Sequence, residues 1–138
     1  MKIIQIVGRS ESGKTTFIKK LIPELKNKGT VAVIKHLGDH VYNLEEEKDT
    51  TIFFETGADI SVGIDSEKAV AIIRTNTLED VLTILFNYGI TFAIIEGFKQ
   101  RTFPKIVIGT LTAGNCILFN PTINEVIRSL DLFENFTP

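Results

Sequence analysis

The chain has 138 residues, 43% of them apolar and 23% charged, a composition that excludes the disordered and membrane-embedded classes. Its 15 basic and 17 acidic side chains give a formal net charge of −2, which provides no broad positive surface for nucleic acid or an anionic membrane. No segment approaches the roughly 18 uninterrupted apolar residues of a membrane span. We therefore predict a cytoplasmic protein that forms one domain over residues 1–138.

The first predicted element is a strand that leads into a phosphate-binding loop. The apolar run 3–7 is followed by residues 8–15, which match every position of the pattern G-x-x-x-x-G-K-[ST]. In such a loop, backbone N–H groups and a helix N-terminus converge on one anion, and glycines allow the phosphate to come close. We predict that Lys14 bridges the β- and γ-phosphates of a nucleotide and that the Thr15 hydroxyl binds Mg²⁺.

A helix, a strand and a long loop are predicted next. Apolar residues recur at helical spacing, at Phe17, Ile18, Leu21, Ile22 and Leu25. This spacing predicts a helix that runs to Gly29, with a bend at Pro23 instead of a break. Residues 31–34 are predicted to form a buried strand. The polar segment 35–48 has no periodicity and is predicted to be a long loop that is either functional or mobile.

The middle of the chain predicts a short helix and a β-hairpin. Asp49 or Thr50 is placed to cap the helix, which should end at Gly57. Two apolar runs, 60–64 and 69–73, are separated by the polar turn Asp65-Ser66-Glu67-Lys68, a pattern typical of a hairpin.

The last third predicts two capped helices and three strands. Thr77 with Asp80, and Thr122 with Glu125, have the spacing of capping boxes at helix N-termini. The predicted strands are 92–96, 106–108 and 117–119. The single cysteine, Cys116, is interpreted as a small hydrophobic residue of the core.

Alternating strands and helices predict an α/β fold of the P-loop NTPase type, a three-layer sandwich with a mostly parallel sheet and a hairpin extension. Ligands of such sheets bind beyond the carboxyl ends of the strands, so residues following Ile34 and Ile95 should meet the phosphate loop. Glu96 follows four apolar residues and is the candidate to bind the Mg²⁺ shell or to polarise a water molecule. Asp49 is a second candidate, since a capping residue is held at a fixed position.

Other polar residues near this edge have no clear assignment from the sequence. Lys99, Arg101 and Lys105 follow Glu96 and either reach a phosphate or belong to a solvated loop. His36 and His40 are interpreted as loop residues, because no further cysteine or histidine completes a zinc site.

Several blocks together resemble one family. The phosphate loop is followed in order by 33–36 (Val-Ile-Lys-His), 48–50 (Lys-Asp-Thr), 56–58 (Thr-Gly-Ala), and 94–99 (Ile-Ile-Glu-Gly-Phe-Lys) with 104–106 (Pro-Lys-Ile). This pattern resembles the molybdopterin-guanine dinucleotide biosynthesis protein B family, MobB. The resemblance implies a GTP-binding protein with weak GTPase activity, usually dimeric, that is a partner of the guanylyltransferase MobA in molybdenum cofactor biosynthesis, with molybdopterin as a further candidate ligand.

The resemblance also implies roles for individual residues. The phosphates would be held by Gly8, Arg9, Ser10, Glu11, Ser12, Gly13, Lys14, Thr15 and Thr16. Thr15 would bind Mg²⁺, and Asp49 and Glu96 would hold the metal shell or the attacking water. The chain departs from the family at 37–40 (Leu-Gly-Asp-His) and at Glu47, where members have a His-His-Asp cluster and a glycine, so contacts of that cluster are not transferred.

Two other functions fit the same loop. One is a kinase that transfers the γ-phosphate to a small-molecule acceptor, although the four arginines (Arg9, Arg74, Arg101 and Arg128) are scattered and form no arginine-rich lid. The other is a non-catalytic adaptor whose shape is set by the nucleotide. The residues alone do not choose between GTP and ATP, because the Asn-Lys-x-Asp guanine signature is absent.

Overall fold

The structure is a computed structural model that describes residues 1–138 and divides them into two compact units. The first unit consists of Met1–His36 and Val81–Pro138, and the second of Leu37–Asp80. The assignment of residues 1–138 to one nucleotide-binding domain stays a prediction. None of the helices combines the length and apolar character that crossing a bilayer requires.

The elements follow the predicted order. The strands are β1 (Lys2–Gly8), β2 (Val31–Lys35), β3 (Ile60–Ile64), β4 (Ala69–Ile73), β5 (Phe92–Glu96), β6 (Lys105–Ile108) and β7 (Cys116–Phe119). The helices are α1 (Lys14–Lys26), α2 (Asp49–Thr56), α3 (Leu78–Asn87) and α4 (Ile123–Arg128), followed by a short 3-10 helix, Leu130–Leu132.

The first unit is built on a five-stranded sheet with the order β2-β5-β1-β6-β7, in which every pairing is parallel. The predicted α/β class with a mostly parallel sheet is therefore confirmed. The central strand β1 is covered on both faces: Ile4 and Ile6 belong to the main core cluster, while the alternate residues Ile3 and Val7 are equally buried. This burial explains why β1 is apolar at nearly every position.

Helix α1 packs its apolar face, formed by Ile18, Leu21 and Leu25, into the core of the first unit. As predicted, the helix is continuous through Pro23. Its predicted end at Gly29 is wrong, because the helix stops at Lys26. The Gly29 N–H instead donates to the carbonyl of Leu25 at 3.1 Å, which closes the last turn beyond the helix.

The second unit contains α2 and the predicted antiparallel hairpin of β3 and β4. The Asp65 carboxylate closes the hairpin turn by accepting hydrogen bonds from the backbone N–H groups of Glu67 and Lys68, both at 2.8 Å. Asp49 is not the N-cap of α2 as predicted: Lys48 occupies the cap position without a side-chain bond, and Asp49 is the first helical residue. A carboxylate in the first turn still favours the helix through its dipole.

Capping chemistry was predicted correctly at α4 and only in part at α3. Thr122 and Glu125 make both reciprocal bonds of the capping box. At α3, the Asp80 N–H donates to the Thr77 hydroxyl at 3.2 Å, whereas the Asp80 carboxylate accepts from the Thr75 hydroxyl.

The prediction that Cys116 is a core residue is wrong, because its side chain is exposed. It lies at the start of β7, which pairs only with β6 and is therefore an edge strand. An apolar run on an edge strand need not be buried at both of its ends. The sequence around Cys116 does not distinguish an edge strand from a central one.

Candidate functional site

The phosphate loop connects the end of β1 to the start of α1, in the arrangement the sequence predicted. Gly13 precedes α1 with φ of 96°, a left-handed conformation that favours glycine. Gly8 needs glycine for a different reason, because a Cβ built there would lie 2.5 Å from both the Ile108 carbonyl oxygen and the Ser12 Oγ. The two glycines therefore set the shape of the loop independently.

A cavity of about 380 Å³ opens at this loop. Its lining consists of Ser10, Glu11, Ser12, Gly13, Lys14, Thr15, Thr16, Lys35 and Glu96. Seven of these residues come from the predicted phosphate-contacting set, and Glu96 is the predicted acidic group. The structure thus brings the loop and the end of β5 to one cavity, as the strand order requires.

Three predicted site residues do not line this cavity. The carbonyls of Gly8 and Arg9 accept hydrogen bonds from the Lys14 ammonium at 3.3 and 2.6 Å, so both residues contribute to the loop through their backbone. Asp49 lies in the second unit with an exposed side chain, and its role at a metal or an attacking water stays a prediction.

Lys14 is held over the loop by its contacts with the two carbonyls. Its pKa is lowered below the usual value, chiefly because burial disfavours the ammonium. The Glu96 carboxylate acts in the opposite direction, and the positive charges of Lys99 and Lys35 lower the pKa further. The loop lysine therefore lies within electrostatic range of two further cations and one carboxylate, a group suited to bind an anion.

Glu96 ends β5 between β2 and β1, and its side chain is only 13% exposed. Its carboxylate lies 3.7 Å from the ammonium of Lys35, the residue that pairs with it in register at the end of β2. The sequence analysis gave Lys35 no role. Its position directly after a four-residue apolar strand was the available signal, since parallel strands place their final residues at the same edge.

The turn after Glu96 explains why the sequence Glu-Gly-Phe has glycine at its second position. Gly97 has φ of 94°, and a Cβ there would come within 2.9 Å of the His36 Cβ. Beside it, the His36 and Phe98 rings stack with centroids 4.3 Å apart. The close packing of β2 against β5 therefore needs glycine at position 97, and it holds Glu96 at a fixed position next to the loop.

The side chains at the cavity fit Mg²⁺ better than a softer metal. Thr15 and Glu96 supply oxygen donors to the same cavity, and Mg²⁺ commonly takes one or two protein oxygens together with phosphate oxygens and water. No group of three or more His, Cys, Asp or Glu side chains forms a metal cluster. A metal at this cavity would therefore share its coordination with a bound phosphate.

A second cavity, of about 510 Å³, borders the first and shares Gly13 and Thr16 with it. The lining continues along α1 with Phe17 and Lys20. It also includes Ile108 and Asn120 at the ends of β6 and β7, and Thr122 and Ile123 at the start of α4. Asn120 is fixed there by two hydrogen bonds of its amide, which accepts from the Gly109 N–H at 2.7 Å and donates to the Gly109 carbonyl at 2.9 Å. The sequence analysis did not find this cavity.

Known proteins resemble this chain both in sequence and in fold. The sequence model of the MobB family, described as molybdopterin guanine dinucleotide synthesis protein B, matches residues 3–128. A crystal structure of Bacillus subtilis MobB superposes with a TM-score of 0.74, covering 99% of this chain and 100% of that chain at 22% identity. At that identity, the structural match supports the fold alone.

Two sequence relatives carry names that describe molybdopterin-guanine dinucleotide biosynthesis adapter proteins. The one from Methanocaldococcus jannaschii is 37% identical over 112 residues, which is 78% of this chain and 47% of that protein. The one from Haemophilus influenzae is 36% identical over 112 residues, which is 77% of this chain and 62% of that protein. The chain therefore spans about half to three fifths of the length of these relatives.

Proposed function

The chain belongs to the MobB family, and from this premise we propose that it is a cytoplasmic GTP-binding protein with weak Mg²⁺-dependent GTPase activity that serves molybdopterin guanine dinucleotide biosynthesis. The observation that carries the proposal is the cavity at which the phosphate loop, Lys14 and Glu96 come together. The names of the relatives support the pathway. The choice of GTP is supported by the family resemblance.

The residues at the cavity have separate tasks in this proposal. The loop amides and the Lys14 ammonium bind the phosphates, and the Thr15 hydroxyl and the Glu96 carboxylate supply oxygens for Mg²⁺ and its water shell. When bound, Mg²⁺ neutralises negative charge on the phosphates. Neither glutamine nor arginine lines the cavity, so the groups that orient water and stabilise the transition state in fast GTPases are absent from it. This lining supports slow hydrolysis.

The second cavity is the place we assign to the nucleoside. It shares Gly13 and Thr16 with the phosphate cavity, and Phe17 and the carbon chain of Lys20 supply apolar surface for a base. Replacing Lys20, which is exposed, with glutamate should weaken GTP binding more than binding of inorganic tripolyphosphate. Equal loss for the two ligands would show that the nucleoside lies elsewhere.

A nucleotide-regulated adaptor is the second candidate, and the names of the relatives favour it. In that function, the chain binds GTP to present a surface to the MobA-like guanylyltransferase, and hydrolysis has no role. Single-turnover assays separate the candidates. Slow release of free phosphate supports the GTPase, no product at all supports the adaptor, and a phosphorylated small-molecule acceptor would support a kinase and contradict both.

Nucleotide binding itself is tested by thermal unfolding with Mg²⁺ and either GTP or ATP. A ligand present at about 100 times its Kd stabilises the folded state by about 2.7 kcal/mol, so the preferred nucleotide raises Tm by several degrees. Lys14→Ala should remove the shift, whereas Lys28→Ala should keep it, because Lys28 is exposed and lies just beyond the C-terminal end of α1. An unchanged shift in Lys14→Ala would contradict the assignment of the cavity.

We also propose that the chain forms a homodimer through the outer face of the hairpin. Ser61 donates to the Thr50 carbonyl and so faces α2, whereas the alternate residues Ile60, Val62 and Ile64 point away from α2 and are exposed. An apolar sheet face of this kind favours self-association. Light scattering should give a dimer for the native chain, a monomer for Val62→Lys and a dimer for the control Val41→Lys; a monomeric native chain would refute this assignment.

A further inference from the structure

Lys105 is a buried cation without a carboxylate partner. It is the first residue of β6, is only 2% exposed, and takes part in no ion pair. Its ammonium donates to the carbonyls of Arg101 and, at 3.1 Å, of Phe103. Burial lowers its pKa below the usual value. An ammonium group has three donors, so these two carbonyls leave one N–H for a further acceptor.

The loop between β5 and β6, residues 97–104, is also held by an uncharged neighbour of Lys105. Gln5 pairs with Lys105 in register across β1 and β6, and its side-chain amide donates to the carbonyls of Gly97 and Phe98, both at 2.8 Å. The Gln5 carbonyl oxygen is fully buried and has no partner. Because an amide suffices to hold one part of the loop, holding the loop does not by itself require a positive charge at position 105.

A cavity of about 330 Å³ lies between this loop and the start of β7. It is lined by Lys99, Gln100, Arg101, Thr102, Lys105, Gly114 and Asn115. Three of these residues are cationic and none is acidic, in a chain whose formal net charge is −2. Such a lining repels cations and favours a small ligand that carries more than one negative charge.

The cationic cavity also lies close to the phosphate loop. The charge of Lys99, which lines it, lowers the pKa of Lys14, so the two ammonium groups are within electrostatic range. An anion bound at Lys99 would therefore lie near the nucleotide phosphates without using the loop that holds them. This position suits a second phosphorylated ligand brought next to the nucleotide.

We propose that this cavity is a second anion site, which binds a phosphate dianion, either free or as the monoester of a second ligand, through Lys99, Arg101 and Lys105. The site goes beyond the nucleotide function and does not depend on it. The buried Lys105 supplies a fixed charge at the base of the cavity, and the exposed Lys99 supplies a mobile one at its rim.

The test is a titration of the ¹⁵N-labelled chain with phenyl phosphate, inorganic phosphate and dimethyl phosphate, followed by backbone amide shifts. Phenyl phosphate should shift the amides of residues 99–102 and 114–115, with at least tenfold lower affinity for the singly charged dimethyl phosphate. Tighter binding of phenyl phosphate assigns the site to a monoester, and equal binding of inorganic phosphate assigns it to the free anion. Shifts confined to residues 8–16 overturn the proposal.

Variants separate this site from the phosphate loop. Lys105→Met keeps the side-chain length and should abolish the shifts at 99–102 while leaving those at 8–16 unchanged. Lys14→Ala should abolish the shifts at 8–16 and leave those at 99–102 unchanged. The two variants therefore distinguish a failure of the nucleotide site from a failure of the second anion site. If Lys105→Met does not fold, Lys99→Gln should weaken the shifts at 99–102 at least fivefold, with Lys28→Gln as the control. Unchanged affinity in Lys99→Gln, or in folded Lys105→Met, would refute the site.

Discussion

Replacing Gly8 with alanine tests the geometry of the phosphate loop directly. The added Cβ would lie 2.5 Å from the Ile108 carbonyl oxygen, whereas such contacts do not fall below 3.0 Å, so the backbone has to move by at least about 0.5 Å. The Ser12 Oγ, also 2.5 Å away, can rotate, but the Ile108 carbonyl belongs to β6 and is held in the sheet. Overpacking of this kind costs about 1–3 kcal/mol.

The expected result is a lower unfolding midpoint together with loss of nucleotide binding. A cost of about 2 kcal/mol corresponds to a shift of about 1 M in urea, given the usual m-values. Gly114→Ala is the matched control, because a Cβ there has open space and the backbone is not left-handed; its change should stay within about 1 kcal/mol. Equal midpoints for the two variants, measured by circular dichroism, would refute the steric argument.

Three further predictions follow from individual side chains. Glu96→Gln should slow GTP hydrolysis or alter its Mg²⁺ dependence more than it weakens GTP binding, and unaltered turnover with an unaltered metal response would exclude Glu96 from the site. Asn120 has φ of 45°, so Asn120→Ala should be about 1 kcal/mol less stable than Asn120→Gly in urea unfolding, although both lose the bonds to Gly109. The pKa of Asp65 is lowered, and the largest cause is its hydrogen bond with the Lys68 ammonium. The Asp65 charge therefore stabilises the fold at any pH above the unfolded-state pKa. This contribution is lost as the pH falls through the folded-state pKa. The stability difference between the native chain and Asp65→Asn should therefore be present at pH 7 and vanish in strong acid; a constant difference would contradict this.

The parts of the fold that sequence reasoning predicted correctly are those with a local cause. The phosphate loop is contiguous, its glycines act within the turn they form, and the box of Thr122 with Glu125 spans four residues. Hydrophobic periodicity likewise predicted α1, and two apolar runs around a polar turn predicted the hairpin. Each of these features depends on neighbours a few residues away, and that information is in the sequence itself.

The features that sequence reasoning missed depend on which strands are neighbours. Cys116 is exposed because β7 is at the edge of the sheet, and Lys105 is buried because β6 lies between β1 and β7. An apolar strand has the same sequence pattern whether it lies at the edge of a sheet or in its interior. The second cavity joins α1 to the ends of β6 and β7, so it appears only once the strand order is known.

The ion pair of Lys35 and Glu96 shows how the strand order also shapes the chemistry of the candidate site. Because β5 lies between β2 and β1, Glu96 has Lys35 on one side and the phosphate loop with Lys14 on the other. Lys35 is 57% exposed, so solvent screens its ion pair with Glu96, and exposed pairs typically contribute about 0.2–1 kcal/mol. In the proposed function, the Lys35 ammonium therefore leaves Glu96 for a phosphate at small cost, while Glu96, held by the turn at Gly97, stays in place to hold the Mg²⁺ shell. The strand order thus positions a mobile positive charge and a fixed negative charge at the same cavity.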